Sequence, residues 1–148
     1  MPVFNDLQFQ PASRFDPLDC AQEGNKNIRF ADVMIDGRSL YGMLRKHDLV
    51  PIFGWGGRER QLETLDFFLL RKPHESLFYR YPLLVCPWCG DEGCGFISVK
   101  VDREGERVIW KDFYAEHQRL SIPLGPFVFS WALYEQAILS TFEMFGEQ

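Results

Sequence analysis

Cations are scarce in this chain and stop early. Sixteen Lys and Arg stand against 21 Asp and Glu, a formal net charge of −5, and none follows Arg119. A nucleic-acid binder needs a stripe of cations to neutralise phosphates. The densest groups here, Arg58–Glu59–Arg60, Arg71–Lys72 and Arg45–Lys46, are too short for that, so nucleic acid is not expected as a partner. Long apolar runs are also missing. Nothing approaches the ~20 residues of a membrane span, and Met1 to Gln10 carries neither the basic nor the apolar segment of a secretion signal. The expected setting is the cytoplasm, with no membrane partner. There is no repeat, no Gly-Lys-Ser/Thr phosphate loop at Gly54–Trp55–Gly56–Gly57, no H-E-x-x-H, no G-x-S-x-G and no dinucleotide fingerprint. Four cysteines in a reducing compartment point to thiols or metal ligands rather than to disulfides.

What is present is a core. At 148 residues the chain has the length of one domain, and 46% hydrophobic residues rule out a disordered one. Aromatics are dense at 16%, with 14 Phe. The acidic surplus is concentrated late. From residue 101 onward eight acidic side chains face four basic ones, a distribution that suits steering of a basic protein partner.

Hydrophobic periodicity sets out the elements. Phe4 to Phe9 reads as a short strand, and Ile28 to Ile35 as a second, closed by a turn at Asp36–Gly37. Ser39 is placed to cap a short helix carrying Leu40, Met43 and Leu44. Arg60 to Leu70 fits a helix with Leu62, Leu65 and Leu69 on one face, although Phe67–Leu70 also fits a buried strand. Phe78 to Cys86, Gly95 to Val101 and Arg107 to Phe113 form an antiparallel meander. Phe127–Val128–Phe129 leads into a helix capped by Ser130, whose apolar stripe is Trp131, Tyr134, Ile138, Phe142 and Phe145. The fold class is α+β: a single domain over 1–148, an antiparallel β-meander with an amphipathic C-terminal helix packed on the sheet.

The strongest local signal is Cys86–Pro87–Trp88–Cys89–Gly90–Asp91–Glu92–Gly93–Cys94–Gly95. Cys86 and Cys89 have the C-x2-C spacing of a zinc knuckle, and Cys94 supplies a third thiolate. The fourth ligand would be Cys20, His74 or His117. The alternative is a Gly-rich hairpin tip whose thiols are small packed hydrophobes. A thiol–disulfide role is disfavoured, because Asp91 and Glu92 raise the pKa of neighbouring thiols. His117, two residues before Arg119, has the makings of a general acid–base beside an anion clamp, though no nucleophile is tied to it. His47 and His74 read as exposed loop residues. Trp55 and Trp88 are candidate binding aromatics if they are exposed.

The series Leu83–Leu84–Val85–Cys86–Pro87–Trp88–Cys89–Gly90–Asp91–Glu92–Gly93–Cys94–Gly95, Val108–Ile109–Trp110–Lys111–Asp112–Phe113, His117–Gln118–Arg119, Gly125–Pro126–Phe127–Val128–Phe129 and Tyr134 resembles a family of small uncharacterised bacterial proteins. Its members carry a CGD-x-GC tip, a V-x-W-x-x-F strand and a P-F-x-F … Y helix start. The resemblance covers about residues 78 to 137 and implies a fold but no established activity.

The leading expectation is a non-catalytic protein-binding module, immunity- or adaptor-like. It would meet a basic partner through Trp55, Trp88, Asp91, Glu92, His117 and Arg119. The second is a zinc-stabilised domain, and the third a thiol-redox or acid–base enzyme.

Overall fold

The computed structural model describes residues 4–14, 28–75, 77, 79–87 and 95–145. Its centre is the meander: β5 (Arg80–Val85), β6 (Phe96–Glu104) and β7 (Arg107–Ala115), all antiparallel. β4 (Val50–Pro51) extends it beyond β5, while β8 (Leu120–Ser121) and β9 (Phe127–Ser130) pair with opposite ends of β7. A second antiparallel sheet has the order β1 (Leu7–Arg14), β2 (Ile28–Ile35), β3 (Arg38–Ser39). Backbone bonds stitch the two sheets at both flanks. Ala31 N–H donates to Phe53 C=O at 2.9 Å, and Asn5 N–H donates to Val128 C=O at 2.7 Å. The Asn5 side chain completes the second stitch by accepting Val128 N–H at 2.7 Å. The helices are α1 (Leu40–Met43), α2 (Arg58–Phe68) and α3 (Trp131–Leu139).

Alternation explains most of the core. Ile97, Val99 and Val101 of β6 are buried, as are Val108 and Trp110 of β7. Strict period 2 would next turn Asp112 inward. Instead a bulge lets Lys111 pair with Lys100 and Tyr114 with Ser98, leaving Asp112 and Phe113 opposite Val99. Asp112 adopts φ +54 and stays exposed, and the reset phase buries Phe113 and Ala115. The aromatic surplus becomes one chain of ring contacts: Phe9 to Phe53 at 4.9 Å, Phe53 to Phe68 at 4.8 Å, Phe68 to Trp110 at 5.6 Å and Trp110 to Phe129 at 5.3 Å.

Tyr134 of α3 locks this cluster. Its hydroxyl donates to Phe68 C=O at 2.7 Å and accepts from Trp110 Nε1–H at 3.2 Å. Phe68 is the last residue of α2, where carbonyls lack helical partners, so a side chain from α3 satisfies the end of α2. Complete burial pushes the Tyr134 phenol far above its ordinary range.

Several element boundaries differ from the sequence expectation. The first strand is Leu7–Arg14 rather than Phe4 to Phe9, and Pro11 sits inside it, opposite Ala31. Proline lacks a donor and is tolerated there because β1 is an edge strand. The Phe67–Leu70 segment is not a strand: Phe67 and Phe68 complete α2, whose buried face is Thr64, Leu65, Phe67 and Phe68 while Leu62 is exposed. Met43 is likewise exposed, although Leu40 and Leu44 are buried. Ser39 caps α1 as expected, accepting Gly42 N–H at 2.9 Å. Ser130 stands at the start of α3 without a side-chain cap, and Trp131 N–H donates to Glu106 C=O at 2.8 Å instead. α3 stops at Leu139, so Phe142 and Phe145 lie past its end. No helix among the described residues is long and apolar enough to cross a membrane.

Candidate metal site at the cysteine hairpin

The sheet register decides which residues meet at the mouth of the β5–β6 connection. Val85 pairs with Phe96, and Ile97 pairs with Ala115. Glu116 N–H then donates to Phe96 C=O at 2.9 Å. One step further out, the same registers set Cys86 on one side of Gly95 and His117 on the other. The contact with His117 is close. A β-carbon on Gly95 would lie 2.9 Å from both Cβ and Cγ of His117 and 3.3 Å from Nδ1. Gly95 has φ +103, a conformation that side chains resist. His117 therefore occupies the space a side chain at 95 would need, on the residue that follows Cys94. Cys86, at the end of β5, is buried.

Strand spacing puts Cys86 and His117 about 10 Å apart along the sheet, two strand separations. Those two alone cannot hold an ion. Accordingly, no group of three or more His, Cys, Asp or Glu among the described residues is arranged to bind a metal. Cys20, Cys89, Trp88, Asp91, Glu92 and Cys94 lie outside the described residues.

The other candidate ligands separate cleanly. His74 is buried, not exposed as its sequence neighbours implied. Its ring lies 5.4 Å from Phe67 and its Nδ1 accepts Leu77 N–H at 3.1 Å. Phe67 stacks on Tyr81, near the start of β5, whereas Cys86 lies past the other end. His47 was also expected in solvent, yet both its ring nitrogens are shielded and have no hydrogen-bond partner among the described residues. Its ring stands edge-on to His117, with centroids 6.2 Å apart. Burial, then Lys46 and His117, hold its pKa below the usual histidine value. Nothing in the sequence links residues 47 and 117; the turn after α1 brings them together.

Trp55 is half-buried rather than projecting. Its indole N–H donates to Pro51 C=O at 2.8 Å, and the Arg60 guanidinium covers its ring at 4.6 Å. Arg119 is exposed at φ +53.

A second polar cluster, missed in the sequence, lies behind the bulge. Ser98 is fully buried in β6. Its hydroxyl donates to Glu116 Oε2 at 2.6 Å and accepts from Arg80 Nε at 3.2 Å and Nη2 at 2.9 Å. A serine within a run of β-branched residues was the one available signal.

No family model matches the chain, and neither curated proteins nor solved structures gave a match.

Proposed function

We propose that the protein is a non-catalytic domain stabilised by a structural zinc ion, held by Cys86, Cys89, Cys94 and His117. The observation that carries this reading is the seating of His117 against Gly95. It leaves His117, alone among the candidate fourth ligands in the described residues, beside the hairpin mouth. The donor set would be Cys3His, a closed structural type with no position left for substrate. Zinc supplies folding free energy at such a site, because thiolates brought together without it repel one another. Gly95 serves the arrangement by letting the imidazole approach the backbone that leads out of Cys94. His47 flanks His117 edge-on, and His117 itself is exposed at the hairpin mouth.

The test is the metal content of untagged protein by elemental mass spectrometry, with a thiol count in denaturant. One equivalent of zinc, and a fall in thermal midpoint with chelator, is the expected result. Metal-free, folded protein with four reactive thiols would overturn the proposal.

A second reading, a module that docks a basic protein, is supported by Leu133. This side chain is 63% exposed and lines a groove between α3 and β1 with Asp6, Gln8 and Gln136, in a part of the chain that holds no Lys or Arg. Such a patch suits an apolar anchor ringed by cations. Stoichiometric recovery of a basic partner by the native protein, but not by Leu133→Glu, is the expected outcome. Equal recovery by both would remove Leu133 from the contact.

A further inference from the structure

The Arg80 cluster opens onto a groove of about 740 Å³ between the β7 bulge and the loop that joins β8 to β9. That volume falls in the range of small-molecule sites. Its walls include Arg80 together with Phe113, Tyr114, Ile122, Leu124 and Pro126. The loop lies tight on the sheet, since a β-carbon on Gly125 would stand 3.1 Å from Phe113 Cε1.

Arg80 is fixed from behind. Nε and Nη2 bond Ser98, and Nη2 also donates to Asp112 C=O, the carbonyl freed by the bulge. Glu116 stands 4.0 Å from Nε, and Tyr114 offers its ring at 5.9 Å. Three of the five guanidinium N–H groups are thus committed to the protein. The two on Nη1 have no hydrogen-bond acceptor among the described residues, and the side chain is 26% exposed. An arginine whose position is set by a buried serine and a bulge carbonyl, with one edge left over, is a pre-organised anion receptor.

The remaining charges choose the anion. Lys111 also lines the groove, but its Nζ lies 3.3 Å from Asp102 Oδ2. Asp112 lines the groove with the opposite sign, and Glu116 offsets Arg80. The lining is close to neutral, so a polyphosphate would meet too few cations. The geometry points to a site for a small monocarboxylate with an apolar body: one carboxylate oxygen on Arg80 Nη1, and the body against Phe113, Ile122 and Leu124. This site is separate from the cysteine hairpin and does not depend on a metal there.

The experiment is an amide NMR titration of the intact protein with 4-phenylbutyrate and, in parallel, its neutral analogue 4-phenylbutyramide. The expected result is saturable shifts at Phe113, Tyr114, Ile122 and Leu124, with the amide bound about tenfold more weakly, the effect of losing a charge-assisted hydrogen bond. Arg80→Gln should erase the preference for the acid. Because Arg80 also braces Ser98, a second variant keeps it: Leu124→Glu places a carboxylate in the groove and should abolish the shifts while leaving the rest of the spectrum unchanged. No saturation by about 10 mM ligand (a Kd weaker than any useful small-molecule affinity) would overturn the inference. So would equal binding of acid and amide, or undiminished binding to Leu124→Glu.

Discussion

Replacing Gly95 with alanine tests the contact on which the zinc reading rests, and its cost divides into two parts that experiment can separate. The first part is backbone strain. Gly95 has φ +103, and an L-residue held in a sparsely populated region costs about 1–3 kcal/mol. The second is collision. The new methyl would lie 2.9 Å from Cβ and Cγ of His117, and forcing an extra carbon into a packed site costs about 1–3 kcal/mol. The sum, about 2–6 kcal/mol, is a large share of the ~5–15 kcal/mol stability of an ordinary domain. Removing the His117 side chain should relieve the collision and leave the strain. The partner must be His117→Gly: His117→Ala keeps the β-carbon, one of the two closest atoms. In urea unfolding followed by circular dichroism, Gly95→Ala should lower the midpoint at constant slope. Gly95→Ala with His117→Gly should be less destabilised than the sum of the singles by about 1–3 kcal/mol. A loss below about 1 kcal/mol for Gly95→Ala, or strict additivity in the cycle, would show that His117 does not sit against Gly95.

Tyr134→Phe should cost about 2–4 kcal/mol, because it strands the Phe68 carbonyl and the Trp110 indole N–H in the interior; a change under about 1 kcal/mol in denaturant titration would contradict the bonding pattern. Glu143→Gln should change stability by less than about 0.5 kcal/mol, because Arg58 and Glu143 pair at 3.0 Å with side chains 70% and 37% exposed; a larger loss would mean that the pair is shielded from water. Asp32 should add stability as the pH falls. Burial raises its pKa, outweighing the hydrogen bonds from the Ser39 hydroxyl and the Tyr41 N–H that lower it. The folded chain therefore takes up this proton first. The favourable contribution is complete below the unfolded carboxyl value of about 3.9 and is lost as pH rises through the higher folded one. Wild type should gain on Asp32→Asn between pH 7 and pH 4 in parallel unfolding curves, and the opposite trend would refute the assignment.

The elements that sequence exposed are those whose apolar pattern holds along a whole strand. β2 kept the span read from its alternation, Ile28–Ile35, and β6 and β7 were legible because apolar and polar residues alternate along them, whereas β5 is buried throughout from Tyr81 to Val85. What the pattern hid came from local backbone geometry. The bulge at Asp112 has no composition signal, since aspartate at positive φ is tolerated but not required, yet it decides that Phe113 and Ala115 face the core. α2 was ambiguous because Phe67–Leu70 is apolar on every side; helical continuation from Arg58, not periodicity, resolves it. At the candidate site, Cys86 and the C-x2-C spacing were legible as chemistry. The seating of His117 on Gly95 was not, because it follows from two strand registers acting together. His47 and Arg80 were invisible for a related reason: their partners are 70 and 18 residues away, and no short motif spans such distances.

The stitch between Asn5 and Val128 sets an order of events during synthesis. Its halves are 123 residues apart, which at ~5–20 residues per second corresponds to roughly 6–25 s of translation. Throughout that interval the outer edge of β1, which no strand covers among the described residues of the finished fold, also lacks α3 beside it, and an open edge invites pairing with another chain. Pro11, at the middle of β1, withholds one donor from any such intruder. The proline inside β1 is thus suited to guarding the nascent hairpin until the last third of the chain arrives.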